Sequence, residues 1–185
     1  ESISVRRLSD EFCVSSTSIV KDLEKVEQEL VQQDILLLRT KSGTRISAKE
    51  QRIRSAKRKF IFEEIMSLTQ QDQIMDLTLC TKLLSRYEQQ AVARSMIDIA
   101  QEKLGFRLDT NYYAQIFISY SIFIQRIKKG HEITEAPARP VVTELHVLKT
   151  YPITEEIVQW LKEEHHISIS DLDIRWVNAR LSGVY

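Results

Sequence analysis

Apolar positions recur along this chain at steps of three and four, the period of helices packed on one side. Residues 4–12, SVRRLSDEF, begin on a candidate cap, Ser4, and set Val5, Leu8 and Phe12 on one face, which predicts a short amphipathic helix. After a break at Cys13 and Val14, Ser15 can cap a second helix within SSTSIVKDLEKVEQELVQQ, whose stripe Ile19, Leu23, Val26 and Leu30 keeps helical spacing. Past Gln33 the period changes. DILLLRT, a turn KSG and then TRI predict two strands joined around Gly43, with Arg39, Lys41 and Arg45 clustered at the tip.

From Asp72 onward the pattern predicts helices at roughly 72–86, 89–104, 109–129, 140–149, 153–165 and 171–182. Gly105, Gly130, Pro137, Pro140 and Pro152 mark the joints between them, and Asp109 is a cap. Ser170 and Asp173 have the spacing of a capping box. The fold class expected is mainly α.

Composition agrees with this reading. Apolar residues make up 43% and charged residues 28%, with 4 Gly and 3 Pro among 185 residues, which excludes a disordered or collagen-like chain and a loop-rich β-sandwich. No apolar run approaches the roughly 20 residues of a membrane helix, and ESISVRRLSDEF lacks the order of a signal peptide, so a cytoplasmic setting is expected. Cys13 and Cys80 stand far apart without a CxxC neighbour and read as reduced core thiols.

The zero net charge hides an asymmetry: residues 1–59 hold 13 bases and 9 acids, so the first part is basic and the rest acidic. A basic amino-terminal module joined to an acidic helical one suggests that the first meets a polyanion. The boundary is expected between Ser47 and Phe60, where SAKEQRIRSAKRKF reads as a connecting helix.

Helix, turn, helix and basic hairpin is the order of a winged helix-turn-helix. In that arrangement the second helix enters the major groove of double-stranded DNA and the wing touches the backbone. Ser15 opens that helix, and its non-core positions Ser16, Thr17, Val20 and Lys21 are the candidate base readers. Hydroxyls can bond to bases or phosphates, Val20 can lie against a thymine methyl, and Lys21 can reach a phosphate or guanine. Arg39, Lys41 and Arg45 would supply sequence-independent attraction. Glu1 already sits at the entrance to the second helix of the usual three, so the first helix is expected to be missing and the chain to be a fragment or incompletely ordered at its start.

The segment VSSTSIVKDLEKVEQEL, the wing, and then LGFRLDTNYYAQIFISYSIFIQRIKKGHEI, KTYP and ISISDLDIRWVNARLSGV resemble bacterial transcription regulators containing a phosphotransferase-system regulation domain (PRD). The resemblance implies a winged helix-turn-helix at 1–49, a linker helix at 50–64 and an all-helical PRD bundle at 65–185. It further implies an activator of carbohydrate uptake or utilisation genes, homodimerisation through the PRD, and phosphotransferase-system proteins as partners. Relatives with a different amino-terminal module are RNA-binding antiterminators, an alternative that the helical pattern of residues 4–33 opposes. A dimerising interaction module that binds no nucleic acid is the other alternative.

In that family, phosphorylated histidines stand seven residues before the Arg of the QRIKKG-like motif and seven after the acidic residue that opens the last helix. Counting from Arg126 and Asp173 lands on Ser119 and Arg180, so the switch positions hold no histidine. His131 and His146 read as surface residues, with a displaced phospho-acceptor as the lesser alternative, while His165 and His166 are adjacent and diverge on a helix; with no HExxH or Cys partner no metal is expected. Trp160 and Trp176 read as core or interface anchors. No phosphate-cradling Gly loop, no GxSxG elbow and no facing carboxylate pair is present, so neither an enzyme nor a cofactor is expected.

Overall fold

In a computed structural model, which describes residues 2–68, 77–87, 89–135 and 145–183, the chain divides into two units, Glu1–Ala56 and Lys57–Tyr185. The first opens with α1 (Val5–Phe12), capped by the Ser4 hydroxyl, which accepts from the Arg7 N–H at 3.2 Å. Cys13 ends it with a left-handed φ of 54°, and the Ser9 hydroxyl donates to the Val14 carbonyl across the turn. Helix α2 (Ser16–Val31) follows at once, with Ser15 as its cap.

Strands β1 (Leu36–Thr40) and β2 (Gly43–Ser47) then form an antiparallel hairpin in which Leu38 pairs with Arg45 and Arg39 with Thr44. Ile3 bridges to Thr44 with hydrogen bonds of 2.9 and 2.8 Å, so the segment before α1 lies along β2. That approach requires glycine at 43. Its φ is +121°, and a Cβ there would stand 2.6 Å from the Ile3 carbonyl oxygen. A small core of Leu30, Ile35 and Ala56, with Leu37 and Ala48 against it, holds the unit together.

Helix α3 (Glu50–Leu68) contributes to both units. In the second unit it is followed by α4 (Leu77–Leu83), a 3₁₀ turn (Leu84–Arg86), α5 (Gln90–Leu104), α6 (Thr110–Lys128), α7 (Leu145–His165) and α8 (Asp171–Leu181). Helix α6 is the centre. Residues 116 to 124 are buried without interruption, so this helix is enclosed all round instead of presenting one stripe. Phe123 stacks on Trp176 of α8 at 5.8 Å between ring centres, while Ile157 and Leu161 bring in α7.

Several expectations need correction. The helices placed at 140–149 and 153–165 are one helix over the described residues, with Pro152 inside it. A proline costs one backbone hydrogen bond, and burial of Thr154, Ile157 and Leu161 on a continuous face outweighs it. Pro137 and Pro140 lie outside the described residues. Phe12 and Val26 are 54% and 43% exposed, because the first ends its helix and the second sits at the margin of the α2 stripe. Cys13 is exposed at the turn, whereas Cys80 is buried as expected.

Candidate nucleic-acid interface and regulatory domain

The sequence α1, left-handed turn, α2 sets the outer side of α2 free of the core. Ser16, Thr17, Val20 and Lys21 are all exposed on its first two turns, together on one side. Ser15 is differently engaged: its oxygen accepts from the Ser18 N–H at 3.0 Å and lies 2.9 Å from the Ser18 hydroxyl. Its capping role occupies the group that would otherwise reach a base.

The wing is not the single basic cluster that the sequence suggested. In a strand, successive side chains point to opposite faces, and the register puts Arg39 with Thr44 and Arg45 with Leu38. The two arginines therefore project from opposite faces of the hairpin. Arg39 Nη2 is paired with Glu27 Oε2 of α2 at 2.8 Å, whereas Lys41 in the two-residue loop and Arg45 make no ion pair among the described residues. Arg6 and Arg7, exposed on the first turn of α1, likewise make none and were not singled out from the sequence. The signal was there, since two adjacent bases sit between the apolar positions Val5 and Leu8. Three bases of α3 are paired, Arg52 with Asp34, Arg54 with Glu50 and Lys59 with Glu63.

Ser119 and Arg180, the positions counted from the sequence as the switch, fall in the second unit. Ser119 lies in α6 with 1% of its surface exposed, and its hydroxyl donates to the Gln115 carbonyl at 2.8 Å. Arg180 lies in α8, its guanidinium 4.9 Å from the Trp176 ring centre, and its carbonyl is 3.0 Å from the Tyr112 hydroxyl. The same hydroxyl lies 2.8 Å from the Leu181 carbonyl, so α6 supplies the cap for the end of α8.

Asp173 is fully buried. Its Oδ2 accepts from the Ile133 N–H at 3.1 Å and the Ser170 hydroxyl at 2.8 Å, while its own N–H donates to Ser170 Oγ at 3.2 Å. Ser170 thus caps α8 as expected, while the Asp173 carboxylate takes the Ser170 hydroxyl and also ties the segment after α6 to the start of α8. Arg126 is half-buried near Tyr87. Burial pushes the Tyr87 phenol above its ordinary value, and the positive charge of Arg126 opposes this.

Among the described residues the histidines form no cluster. The His131 N–H donates to the Arg126 carbonyl at 3.0 Å, and the side chain of His146 lies outside the described residues. His165 ends α7 with its ring edge-on to Trp160 at 4.7 Å, and His166 is past the helix with φ 55°. Among the described residues no group of three or more His, Cys, Asp or Glu could hold a metal ion, and no helix is long and apolar enough to cross a membrane.

A search of curated proteins finds no match to this chain. The PRD domain family, however, matches residues 94–178, a span that starts within α5, contains the central α6 and ends in α8 with Asp173 and Trp176. PRDs are regulatory modules that interact with phosphotransferase-system components. Residues 94–178 thus carry the match to a PRD, and that domain indicates involvement in phosphotransferase-system-linked regulation.

Proposed function

We propose that the protein is a DNA-binding transcription regulator, an activator of carbohydrate uptake or utilisation genes, in which the first unit is a winged helix-turn-helix and the PRD is the regulatory and dimerising part. The observation that carries this reading is the first unit's order: α1, a left-handed turn, α2 with four exposed polar or small residues at its start, and a hairpin bearing Lys41 and Arg45. In such a unit α2 lies in the major groove, where Ser16, Thr17, Val20 and Lys21 meet base edges. Arg6 and Arg7 on α1 join Lys41 and Arg45 as backbone contacts. Two helices and a hairpin favour duplex DNA over the all-β module expected of an RNA-binding antiterminator.

The PRD departs from the family's switch in chemistry. Ser119 is enclosed in the core, and Arg180 carries a fixed positive charge against Trp176, so neither takes part in a histidine-to-histidine phosphoryl transfer. We read this PRD as locked in one arrangement, with the Asp173 tie and the Tyr112 cap as its fasteners.

Substituting both Lys21 and Arg45 by Glu tests the DNA assignment, because each change replaces attraction to a phosphate by repulsion. Binding of the full chain to duplex DNA should weaken at least about tenfold at moderate salt. Unchanged affinity overturns the assignment.

A further inference from the structure

The Arg39–Glu27 pair stands on the very side of α2 assigned to DNA, and its geometry gives it a role there. At 100° per residue, Glu27 lies within about 20° of Ser16 and Val20 around the helix axis and roughly 10 to 16 Å further along it. It is therefore the continuation of the reading side, next to a shallow groove of about 450 Å³ lined by Glu24, Glu27, Gln28 and Val31. An acidic side chain at that place repels a phosphate backbone unless a cation covers it. Arg39 does so, from the hairpin face that carries Leu37, Thr44 and Ile46.

We propose that Glu27 is a built-in competitor for the wing's Arg39: its carboxylate occupies the guanidinium in the free protein, and on duplex binding Arg39 exchanges it for a backbone phosphate. This inference rests on the DNA-binding reading above. Three observations support it. The pair is half open to water, with side chains 40% and 42% exposed, and a pair of that kind is worth no more than about fivefold in an equilibrium, so exchange is cheap. A guanidinium binds carboxylate and phosphate through the same fork of N–H donors, which makes one oxyanion a fair substitute for the other. Finally, Arg45 on the opposite face has no such acid against it among the described residues, so the two arginines of the hairpin are differently engaged there.

Exchange and simple positioning of the wing predict opposite results for the same substitution. If Glu27 merely pins the wing, its loss loosens the hairpin and weakens binding; if it competes, its loss strengthens binding. The test uses the full chain and a fluorescein-labelled, mixed-sequence duplex of roughly 30 base pairs, with affinity measured by anisotropy over a range of salt. Glu27→Gln should tighten binding about twofold to fivefold, Arg39→Gln should weaken it and lower the slope of log affinity against log salt by about one per protomer, and in the double variant the gain from Glu27→Gln should disappear. Both positions are at the surface, so the substitutions leave the fold intact. Weaker or unchanged binding by Glu27→Gln, or an unchanged salt slope in Arg39→Gln, overturns the exchange while the DNA reading stands. Absence of duplex binding by the parent chain and every variant overturns both.

Discussion

Arg54 donates from Nε to Glu50 Oε1 at 2.9 Å, one turn apart on α3, with the two side chains 0% and 8% exposed. Two charges so far from water remain favourable only while they neutralise each other. Arg54→Ala should therefore cost about 3–5 kcal/mol, and replacing both residues by Leu should recover most of that loss. Urea unfolding of the parent and the two variants measures the difference.

Gly43 and Cys13 both hold a positive φ, but only the first is a glycine. At Gly43 a Cβ would meet the Ile3 carbonyl, so Gly43→Ala should destabilise the first unit by about 2–4 kcal/mol and release the Ile3 and Thr44 amides to hydrogen exchange. At Cys13 a side chain is already held at φ 54°. Relief of about 1–2 kcal/mol of left-handed strain exceeds the added freedom of the unfolded chain, so Cys13→Gly should stabilise by about 0.5–1 kcal/mol. Thermal melts read that gain.

Removing the Asp173 carboxylate leaves the buried Ile133 N–H without this acceptor and takes away the acceptor of the Ser170 hydroxyl at the start of α8. Asp173→Ala should cost about 2–3 kcal/mol. The Ile133 amide should then exchange with solvent faster, while amides in the middle of α5 change only in proportion to global stability.

Incubation with phosphoenolpyruvate and the general phosphotransferase proteins should leave Ser119 and Arg180 unmodified, since one is 1% exposed and the other is an arginine. Mass spectrometry under conditions that preserve acid-labile phosphate checks this. Phosphate on His131, His146, His165 or His166 would place the switch elsewhere and contradict a locked PRD. The enclosure of Ser119 also bears on its replacement: Ser119→His inserts a ring into a packed helix and should destabilise the domain by about 1–3 kcal/mol.

Local pattern determined most of the elements by itself. Ser4, Ser15, Asp109 and Ser170 are caps where the sequence placed them, because a cap depends on a hydroxyl or carboxylate and an amide three residues on. The period of 3.6 located α5, α6 and α8 to within a residue or two at each end, and the change of period located the hairpin. The order QRIKKG, YP and the acidic opener of α8 pointed to a PRD, which the family match at residues 94–178 supports.

What the tertiary structure decided is which groups meet. A linear reading joined Arg39 to Arg45 by proximity, but strand alternation separates them and an acid from α2 claims the first. It could not foresee that α7 passes through Pro152, since the gain from burying that helix face comes from residues distant in the chain. Nor could it tell that Ser119 is sealed in the core or that Asp173 reaches back across 40 residues to Ile133. Spacing along a chain fixes direction within one element; burial and pairing between elements depend on contacts that only the folded chain brings together.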